Sequence, residues 1–276
     1  PPAVSRKGNA MNPTGSRQAD PPVPLLEAQR LCKNFGGVRA VQDVSLAILE
    51  RTVFAIIGPN GAGKSTLLNL LSGVYKPDAG QIRFAGLDLV GMPAHRRVRQ
   101  GIARTFQKIR LFKHLSVLQN VLAGYHIRHS IPPLQYLFHG AAFRADARRC
   151  RDGARELLEF MGLAHRAAVA AGSLAYGEQR LLEIARALAT SPRLLMVDEP
   201  AAGLNGAEVA ALLYRIASMR ERGVTIVLVE HNMDLVMTVA DRILVMDYGR
   251  RLFEGAPSEV RAHPEVITAY LGAETL

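Results

Sequence analysis

The sequence lacks the features of a disulfide-bonded or membrane-spanning protein. Its 276 residues include only two cysteines, Cys32 and Cys150, and neither lies in a CxxC or Cys/His cluster. Two cysteines cannot build a disulfide framework, so we expect both to be structural and the compartment to be reducing. No apolar run approaches the roughly 18–20 residues that span a bilayer. Since no secretory signal opens the chain either, we expect a cytoplasmic location.

Acidic residues are also in short supply. The chain has 24 Asp and Glu against 34 Lys and Arg, a net charge of +10, which is compatible with nucleic acid, anionic lipid or phosphorylated ligands. The basic runs at residues 95–100 and 147–155 carry apolar residues at helical spacing, which is typical of solvated helix faces. No aromatic side chains are interleaved with these runs to stack on bases, so we expect no nucleic-acid partner.

Strand-like and helix-like segments alternate along most of the chain. Residues 1–23 are rich in Pro, Gly, Asn and Ser and predict a disordered tail, in which Met11 is a candidate start. The apolar runs TVFAIIG, RLLMVDEP and VTIVLVEH predict buried strands, and GAEVAALLYRIASMRERG predicts an amphipathic helix. GKSTLLNLLSGVY predicts a further helix, with one side formed by Leu67, Leu68, Leu71 and Val74. This alternation predicts a single α/β domain over residues 24–276, with a mainly parallel sheet covered on both faces.

Two regions depart from this alternation. Residues 108–190 are mainly helical and predict a smaller helical subdomain inserted in the core, with a local insertion at HIRHSIPPLQYLFHG, residues 126–140. After Asp241, RILVMDYGRRLFEG predicts a hairpin around Tyr248-Gly249, and short helices are expected after the prolines at 257 and 264.

A glycine-rich loop follows the first apolar strand. Residues 58–66, GPNGAGKST, fit the P-loop pattern GxxxxGK[ST] between a predicted strand and a predicted helix. Glycines let the backbone approach phosphates, the lysine adds a charge for the β- and γ-phosphates, and the serine hydroxyl suits Mg²⁺. The predicted nucleotide site comprises Gly58, Pro59, Asn60, Gly61, Ala62, Gly63, Lys64, Ser65 and Thr66. Kinases and GTPases share this loop, so by itself it indicates only a nucleotide.

Polar residues follow three other apolar segments. Asp198 and Glu199 end RLLMVDEP, where we predict that Asp198 holds Mg²⁺ through water and Glu199 polarises the attacking water as a general base. The alternative is a helix N-cap pair without chemistry. Gln107 follows IARTF and is predicted to reach Mg²⁺ or the water, and His231 ends VTIVLVE and is predicted to contact the γ-phosphate. Taken singly, these two fit a surface or structural role equally well.

In order, six motifs resemble the nucleotide-binding subunit of an ABC transporter over residues 24–272: GPNGAGKST, Gln107, LAYGEQR, LLMVDEP, AAGLN and His231. The resemblance implies an α/β P-loop NTPase core of the ABC-ATPase type, with an N-terminal antiparallel β subdomain and an inserted helical subdomain. It makes Gln107 the Q-loop glutamine and His231 the switch histidine. It also implies that Phe35 stacks on adenine, although a core aromatic in an N-terminal strand is the alternative.

The family's head-to-tail dimer would place ATP between one subunit's P-loop and the other's signature loop. The signature residues are Leu174, Ala175, Tyr176, Gly177 and Glu178. Ala175 stands where the family usually has serine, so one hydrogen bond to the γ-phosphate, worth about 1.5–3 kcal/mol, is missing. The Gly177 amide and the helix N-terminus remain able to face an anion. Asn205 replaces the usual D-loop aspartate, which keeps hydrogen bonding without the charge.

Longer segments are similar to one branch of the family, the Liv-type importers of branched-chain amino acids, and to their G-type ATPase subunit. These segments are LAYGEQRLLEIARALAT, DEPAAGLN, VEHNMDLVMTVADRILVMDYGR and FEGAPSEVRAHPEVITAYLG. The resemblance implies ATP and Mg²⁺, a second and different ATPase subunit, two permease subunits, a periplasmic substrate-binding protein, and a peripheral location on the cytoplasmic face of the inner membrane.

Other classes fit less well. Sister systems carrying other amino acids or small amides would use a nearly identical ATPase, and a lipopolysaccharide-export ATPase is the nearest alternative. Translation ATPases usually have tandem cassettes and repair ATPases a long coiled-coil insertion, neither of which is present. A kinase or small GTPase would lack the signature and the switch histidine.

Overall fold

The structure is a computed structural model that describes residues 23–127 and 141–271. The predicted tail, apart from its last residue, and most of the predicted local insertion at 126–140 lie outside the described residues.

A six-stranded sheet forms the core, in the order β10-β9-β3-β8-β7-β6. Its strands are β3 (Val53–Ile57), β6 (Ile102–Arg104), β7 (Leu194–Asp198), β8 (Thr225–Val229), β9 (Arg242–Asp247) and β10 (Arg250–Gly255). All neighbouring pairs are parallel except β9 and β10. Strands β3, β7 and β8 are buried at every position, which explains their uninterrupted apolar sequences.

The second sheet is antiparallel, in the order β2-β1-β4-β5. Its strands are β1 (Leu26–Phe35), β2 (Val38–Ile48), β4 (Ala79–Phe84) and β5 (Leu87–Asp88). One apolar cluster joins its inner face to the core sheet and to the first helix, and includes Leu31, Val44, Phe54 and Leu67. The predicted fold class, a mainly parallel core with an N-terminal antiparallel sheet, is confirmed.

Helices cover the core sheet and fill the stretch between β6 and β7. They are α1 (Lys64–Ser72), α2 (Ala94–Arg99), α3 (Val117–Tyr125), α4 (Ala141–Phe160), α5 (Tyr176–Leu188), α6 (Gly206–Glu221), α7 (Met233–Val239), α8 (Pro257–Ala262) and α9 (Pro264–Leu271). Helices α3, α4 and α5 pack on one another between β6 and β7. The division at 108–190 into a separate helical subdomain stays a prediction. No helix in the described ranges is long and apolar enough to cross a membrane.

Two details of the predicted helices are wrong. Helix α1 ends at Ser72 because Gly73 takes a left-handed conformation (φ 79°), so Val74 lies beyond the helix and is exposed. In the basic run 95–100, Arg97 is 1% exposed rather than solvated. Its guanidinium donates, at 2.7–3.0 Å, to the main-chain carbonyls of Leu70, Leu71, Leu89 and Met92. Burial lowers the pKa of Arg97 to about 10.

The hairpin of strands β9 and β10 is hydrogen-bonded to the P-loop. Strands β9 and β10 meet at Tyr248-Gly249 as predicted, and α8 and α9 follow. The Gly249 N–H donates to the carbonyl of Ala62 at 3.0 Å, and the Gly249 carbonyl accepts from the N–H of Gln42 at 2.7 Å. The turn therefore fixes the glycine-rich loop against β2.

Candidate functional site

The P-loop runs from the end of β3 to the start of α1 and needs glycine at two packed positions. A Cβ on Gly58 would lie 2.1 Å from the carbonyl oxygen of Met246, and one on Gly63 would lie 2.3 Å from that of Ala40. Both glycines also have positive φ, 149° and 97°. The strand-loop-helix setting that the motif requires is present, and the loop's amides lead into the N-terminus of α1.

Lys64 holds its ammonium against the loop. Its Nζ donates to the carbonyls of Gly58 at 2.7 Å and Pro59 at 2.9 Å, and the residue is 7% exposed. Burial lowers the pKa of Lys64, and the nearby carboxylates of Glu199 and Asp198 oppose that shift. The loop thus presents a fixed cation beside two acidic groups, which suits a polyphosphate accompanied by a divalent metal.

An open cleft of about 680 Å³ lies over the P-loop. Its lining includes Asn60 to Thr66, Gln107 and Glu199, so three of the predicted motifs meet in one place. Arg39, Gln42 and Tyr248 also line it, and no sequence motif marked them.

Asp198 is a buried carboxylate with a cationic partner. It ends β7 and is 4% exposed, and its Oδ2 accepts from Arg104 Nη2 at 3.0 Å. Arg104 ends β6 and also donates to Asn69 Oδ1 at 2.6 Å and to Ser72 Oγ at 2.9 Å on α1. Burial raises the pKa of Asp198, and Arg104 opposes the shift. Arg104 therefore holds the Asp198 carboxylate in place through this ion pair. The sequence analysis did not predict this role, although a charged residue within the strand-like run IARTF was a signal for it.

Glu199 and Gln107 are in direct contact. The Gln107 amide nitrogen donates to Glu199 Oε2 at 2.8 Å. Glu199 has a left-handed backbone (φ 45°), uncommon for a residue with a side chain, and its N–H donates to the carbonyl of Val229 at 2.9 Å. This turn carries the Glu199 side chain into the cleft, while Asp198 before it stays buried. Strained conformations of this kind cost about 1–3 kcal/mol and cluster at functional sites.

His231 lies two residues after β8, and its side chain is exposed. The residue before it, Glu230, has a structural role that was not predicted. Glu230 is 0% exposed and accepts from the N–H of Ala201 at 2.9 Å and from the N–H of His231 at 3.2 Å. It therefore ties the backbone of the predicted switch histidine to the segment after Glu199. Sequence reasoning missed Glu230, whose only signal was an acidic residue closing a buried strand.

The predicted signature loop forms the N-terminus of α5. Ala175 is the N-cap residue, and its N–H donates to Glu178 Oε2 at 3.1 Å. Glu178 also accepts from Arg166 Nε at 3.1 Å. An alanine has no side-chain oxygen to return the bond, so only half of a capping box is present. A Cβ on Gly177 would lie 2.4 Å from the side-chain carboxylate of Glu208 on α6, so a larger residue at this position would require the Glu208 side chain to move.

Comparisons with known proteins agree with this geometry. The family model described as ABC transporter matches residues 41–202, and the one described as branched-chain amino acid ATP-binding cassette transporter matches residues 250–275. The high-affinity branched-chain amino acid transport ATP-binding protein BraF of Pseudomonas aeruginosa is 46% identical over 250 residues, covering 90% of this chain and 98% of the relative. LivG of Escherichia coli K12, described in the same words, is 43% identical over 90% of this chain and 98% of its own.

The chain belongs to the ABC transporter ATP-binding family. Within it, the chain is similar to the branched-chain amino acid branch, as the residues of the sequence had indicated. A solved nucleotide-free ATP-binding cassette from an ABC transporter has a TM-score of 0.78 at 32% identity, covering 90% of this chain and 98% of that one. The ADP conformation of an ATP-binding cassette gives the same score and identity. This cassette is thus an ATPase subunit coupled to transport, with a nucleotide-binding fold.

Phe35 of the cassette lies at the end of β1 and is 42% exposed. Its ring packs edge-to-face on Tyr75 with centroids 5.2 Å apart, and Lys33 Nζ lies 5.5 Å from its centroid. Phe35 is therefore not a core aromatic, and it is not among the residues that line the P-loop cleft. The ring is exposed enough to stack on a base, and adenine stacking by Phe35 stays a prediction.

Asn205 of the cassette caps helix α6. Its Oδ1 accepts from the N–H of Glu208 at 3.0 Å, and Glu208 Oε2 accepts from the N–H of Asn205 at 2.9 Å, which completes a capping box. The residue predicted for a contact across the dimer thus has an intrahelical role as well. The contact of Asn205 across the dimer stays a prediction.

Proposed function

We propose that this cassette binds ATP with Mg²⁺ and hydrolyses it to drive the import of branched-chain amino acids, related amino acids or small amides. The observation that carries the hydrolytic part is the hydrogen bond between Gln107 and Glu199 in the cleft above the P-loop. The substrate class is supported by the relatives, whose names give branched-chain amino acid transport. The alternative, ATPase of another single-cassette transporter, is not what the names of these relatives give.

In the proposed reaction, the Glu199 carboxylate polarises a water and accepts its proton, while the Gln107 amide holds that carboxylate in place. Lys64 and the loop amides bind the phosphates, and His231 donates to the γ-phosphate. No group of three or more acidic, His or Cys side chains that could hold a metal occurs among residues 23–127 and 141–271. Mg²⁺ usually keeps several water molecules and phosphate oxygens as ligands, so it needs few protein ligands. Here Ser65 and Gln107, which line the cleft, would bind it directly and Asp198 would bind it through water. The ion would neutralise phosphate charge.

A second, different ATPase subunit would complete the sites in a head-to-tail heterodimer. This chain's P-loop would use the partner's signature loop, and Ala175 to Glu178 would close over the partner's ATP. The two sites would be unequal because Ala175 lacks the serine hydroxyl. Two permease subunits, fed by a periplasmic binding protein, would hold the pair at the cytoplasmic face of the membrane.

A second concavity provides a place for the permease. This apolar groove, of about 500 Å³, lies between β6, α3 and α5 and begins at the residues next to Gln107. Its lining includes Phe106, Arg110, Leu111, Phe112, Ala123, Gly124, Ile127 and Ala187. Phe112 and Ile127 are 53% and 41% exposed, an apolar surface that a short permease helix would cover.

Replacing Phe112 with Asp tests this assembly. The change places a negative charge in the groove and should abolish co-purification of the cassette with co-expressed permease subunits, while ATP binding is retained. The matched control is Tyr214→Asp, because Tyr214 is also an exposed aromatic (73%) but lies on α6, outside the groove. Co-purification that survives the Phe112 change would contradict the docking site, and its loss in both variants would show that the effect is not specific to the groove.

Replacing Ala175 with Ser has two expected effects. A serine at the N-cap would complete the capping box with Glu178 and stabilise the free cassette by about 1 kcal/mol. Its hydroxyl hydrogen would still be free to reach a phosphate, so ATP-dependent association with the second ATPase should also strengthen. Denaturant unfolding without nucleotide and association measured with ATP separate the two effects.

Ala256→Ser is the matched control. Ala256 is the N-cap of α8, and its N–H donates to Glu259 Oε2 at 2.6 Å in the same half capping box. This change should stabilise the free chain similarly and leave association unaltered. Equal gains in association for both variants would reduce the Ala175 effect to simple helix capping, and identical binding and hydrolysis at the two wild-type sites would remove the asymmetry.

A further inference from the structure

One face of helix α5 binds the backbone of the segment that carries Gln107. Arg180 Nη1 donates to the carbonyl of Phe106 at 2.8 Å, and Arg180 Nη2 donates to that of Gln107 at 2.9 Å. One turn later, Glu183 Oε1 accepts from the N–H of Arg110 at 3.2 Å. Residues three apart share a helix face, so these side chains form one stripe along the segment.

Arg180 is also joined to the signature loop. Its Nη2 donates to the hydroxyl of Tyr176 at 3.2 Å, and its guanidinium carbon lies 5.9 Å from the centre of that ring. Its charge is balanced by Glu183, whose Oε2 accepts from Nη1 at 3.1 Å. Both side chains of this pair are buried, with 1% and 2% exposed. A buried charge with this many partners is held in one geometry.

These bonds make a continuous path between two functional regions. The path runs from Tyr176 through Arg180 to the backbone of Gln107, and from the Gln107 amide to Glu199 at 2.8 Å. The guanidinium is suited to this junction because its rigid planar fork donates to two consecutive carbonyls and a hydroxyl together. A lysine ammonium is a single point with no fixed plane.

We propose that Arg180 is a positioning residue that sets Gln107 against Glu199 and couples the signature loop to that pair. The proposal rests on the proposed function in one respect: Glu199 is the general base. A change at Tyr176 or the N-terminus of α5 is then transmitted to the carboxylate of the same chain through the Arg180 bonds.

The test is a double-mutant cycle on the full chain assembled with its transporter partners. Arg180→Gln should lower kcat at saturating Mg-ATP by on the order of 10- to 100-fold, the size of effect that small misplacements of reacting groups produce. ATP affinity should change by less than about threefold, because no P-loop contact is lost. Since Arg180 acts through Gln107, adding Arg180→Gln to a Gln107→Ala chain should lower kcat less than about twofold further.

Arg97→Gln is the matched structural control. Arg97 is equally buried and binds four main-chain carbonyls, but none belongs to the Q-loop or the signature. It should lower the melting temperature at least as much as Arg180→Gln does, leave kcat nearly unchanged well below that temperature, and combine additively with Gln107→Ala. Hydrogen exchange at residues 106–110 should increase in Arg180→Gln and not in Arg97→Gln.

Independent, multiplicative effects of the Arg180 and Gln107 changes would overturn the proposal, as would unaltered exchange at 106–110. If Arg180→Gln does not fold, Arg180→Lys serves, with a smaller kcat loss and the same non-additivity expected. A wild-type complex without ATP hydrolysis would instead refute the proposed function. A complex that hydrolyses ATP, loses activity with Glu199→Gln and shows additivity at Arg180 refutes the coupling alone.

Discussion

Replacing Glu199 with Gln is expected to lower ATP turnover by roughly 10²- to 10⁴-fold, the usual contribution of a general base. Glutamine has the same shape and keeps an oxygen for the Gln107 amide, so the contact seen at 2.8 Å is preserved. It cannot accept the proton of the attacking water. The P-loop and Lys64 are untouched, so ATP should remain bound and the dimer should stay closed.

Single-turnover hydrolysis and retention of labelled ATP by the assembled transporter would measure both effects. Glu221→Gln is the control, because it makes the same chemical change at an exposed carboxylate. Glu221 is the last residue of α6 and does not line the cleft over the P-loop. Undiminished hydrolysis in the Glu199 variant would remove Glu199 as the base. Loss of ATP binding would instead assign it to binding.

Replacing Lys64 with Ala is expected to weaken ATP binding by about 10- to 100-fold, the equivalent of one charge-assisted hydrogen bond of roughly 1.5–3 kcal/mol. The ammonium is the buried cation of the cleft and is already oriented by the carbonyls of Gly58 and Pro59. Its loss also removes the cation that faces Glu199 and leaves Asp198 with Arg104 as its charge partner, so the negative potential of the cleft rises and further disfavours a polyphosphate.

Equilibrium binding of ATP by the purified cassette is the measurement, accompanied by thermal unfolding because Lys64 also ties the loop together. Lys76→Ala is the control, since Lys76 is an exposed lysine that follows α1 and does not line the cleft. An affinity within about twofold of the wild type would show that the loop binds nucleotide without Lys64, against the assigned role.

The parts of this site that were predictable share one physical cause. Asp198 ends β7 and His231 lies two residues beyond β8, and the carboxyl ends of these parallel strands lie on the same side of the sheet as the P-loop that follows β3. The contact of His231 with the γ-phosphate stays a prediction. A strand that is buried on both faces of the sheet has a continuous apolar sequence instead of alternating apolar and polar residues. The polar residue at its end is therefore easy to recognise in the sequence. The fold class was predictable for the same reason, whereas the glycine-rich loop was predictable from its GxxxxGK[ST] pattern between a strand and a helix.

What the sequence did not reveal depends on contacts between distant segments. Nothing in the local sequence shows which groups Arg104 and Arg180 bind. Only the fold brings the Asp198 carboxylate to Arg104 and two main-chain carbonyls, those of residues 106 and 107, to Arg180. Glu230 gains its role only when β7 and β8 pair and bring the N–H of Ala201 to it. The error at Arg97 has the same origin, because helical spacing could not show that the carbonyls of Leu70 and Leu71 at the end of α1 lie within reach of its guanidinium.

Coupling of ATP hydrolysis to amino-acid import can be measured in the reconstituted transporter, with the periplasmic binding protein presented empty or loaded with leucine, isoleucine or valine. We expect that the loaded binding protein raises hydrolysis several-fold, that accumulation of the amino acid accompanies it, and that both are lost with Glu199→Gln. Hydrolysis that is indifferent to all three amino acids and responds to an unrelated solute, such as a lipopolysaccharide, would contradict this expectation.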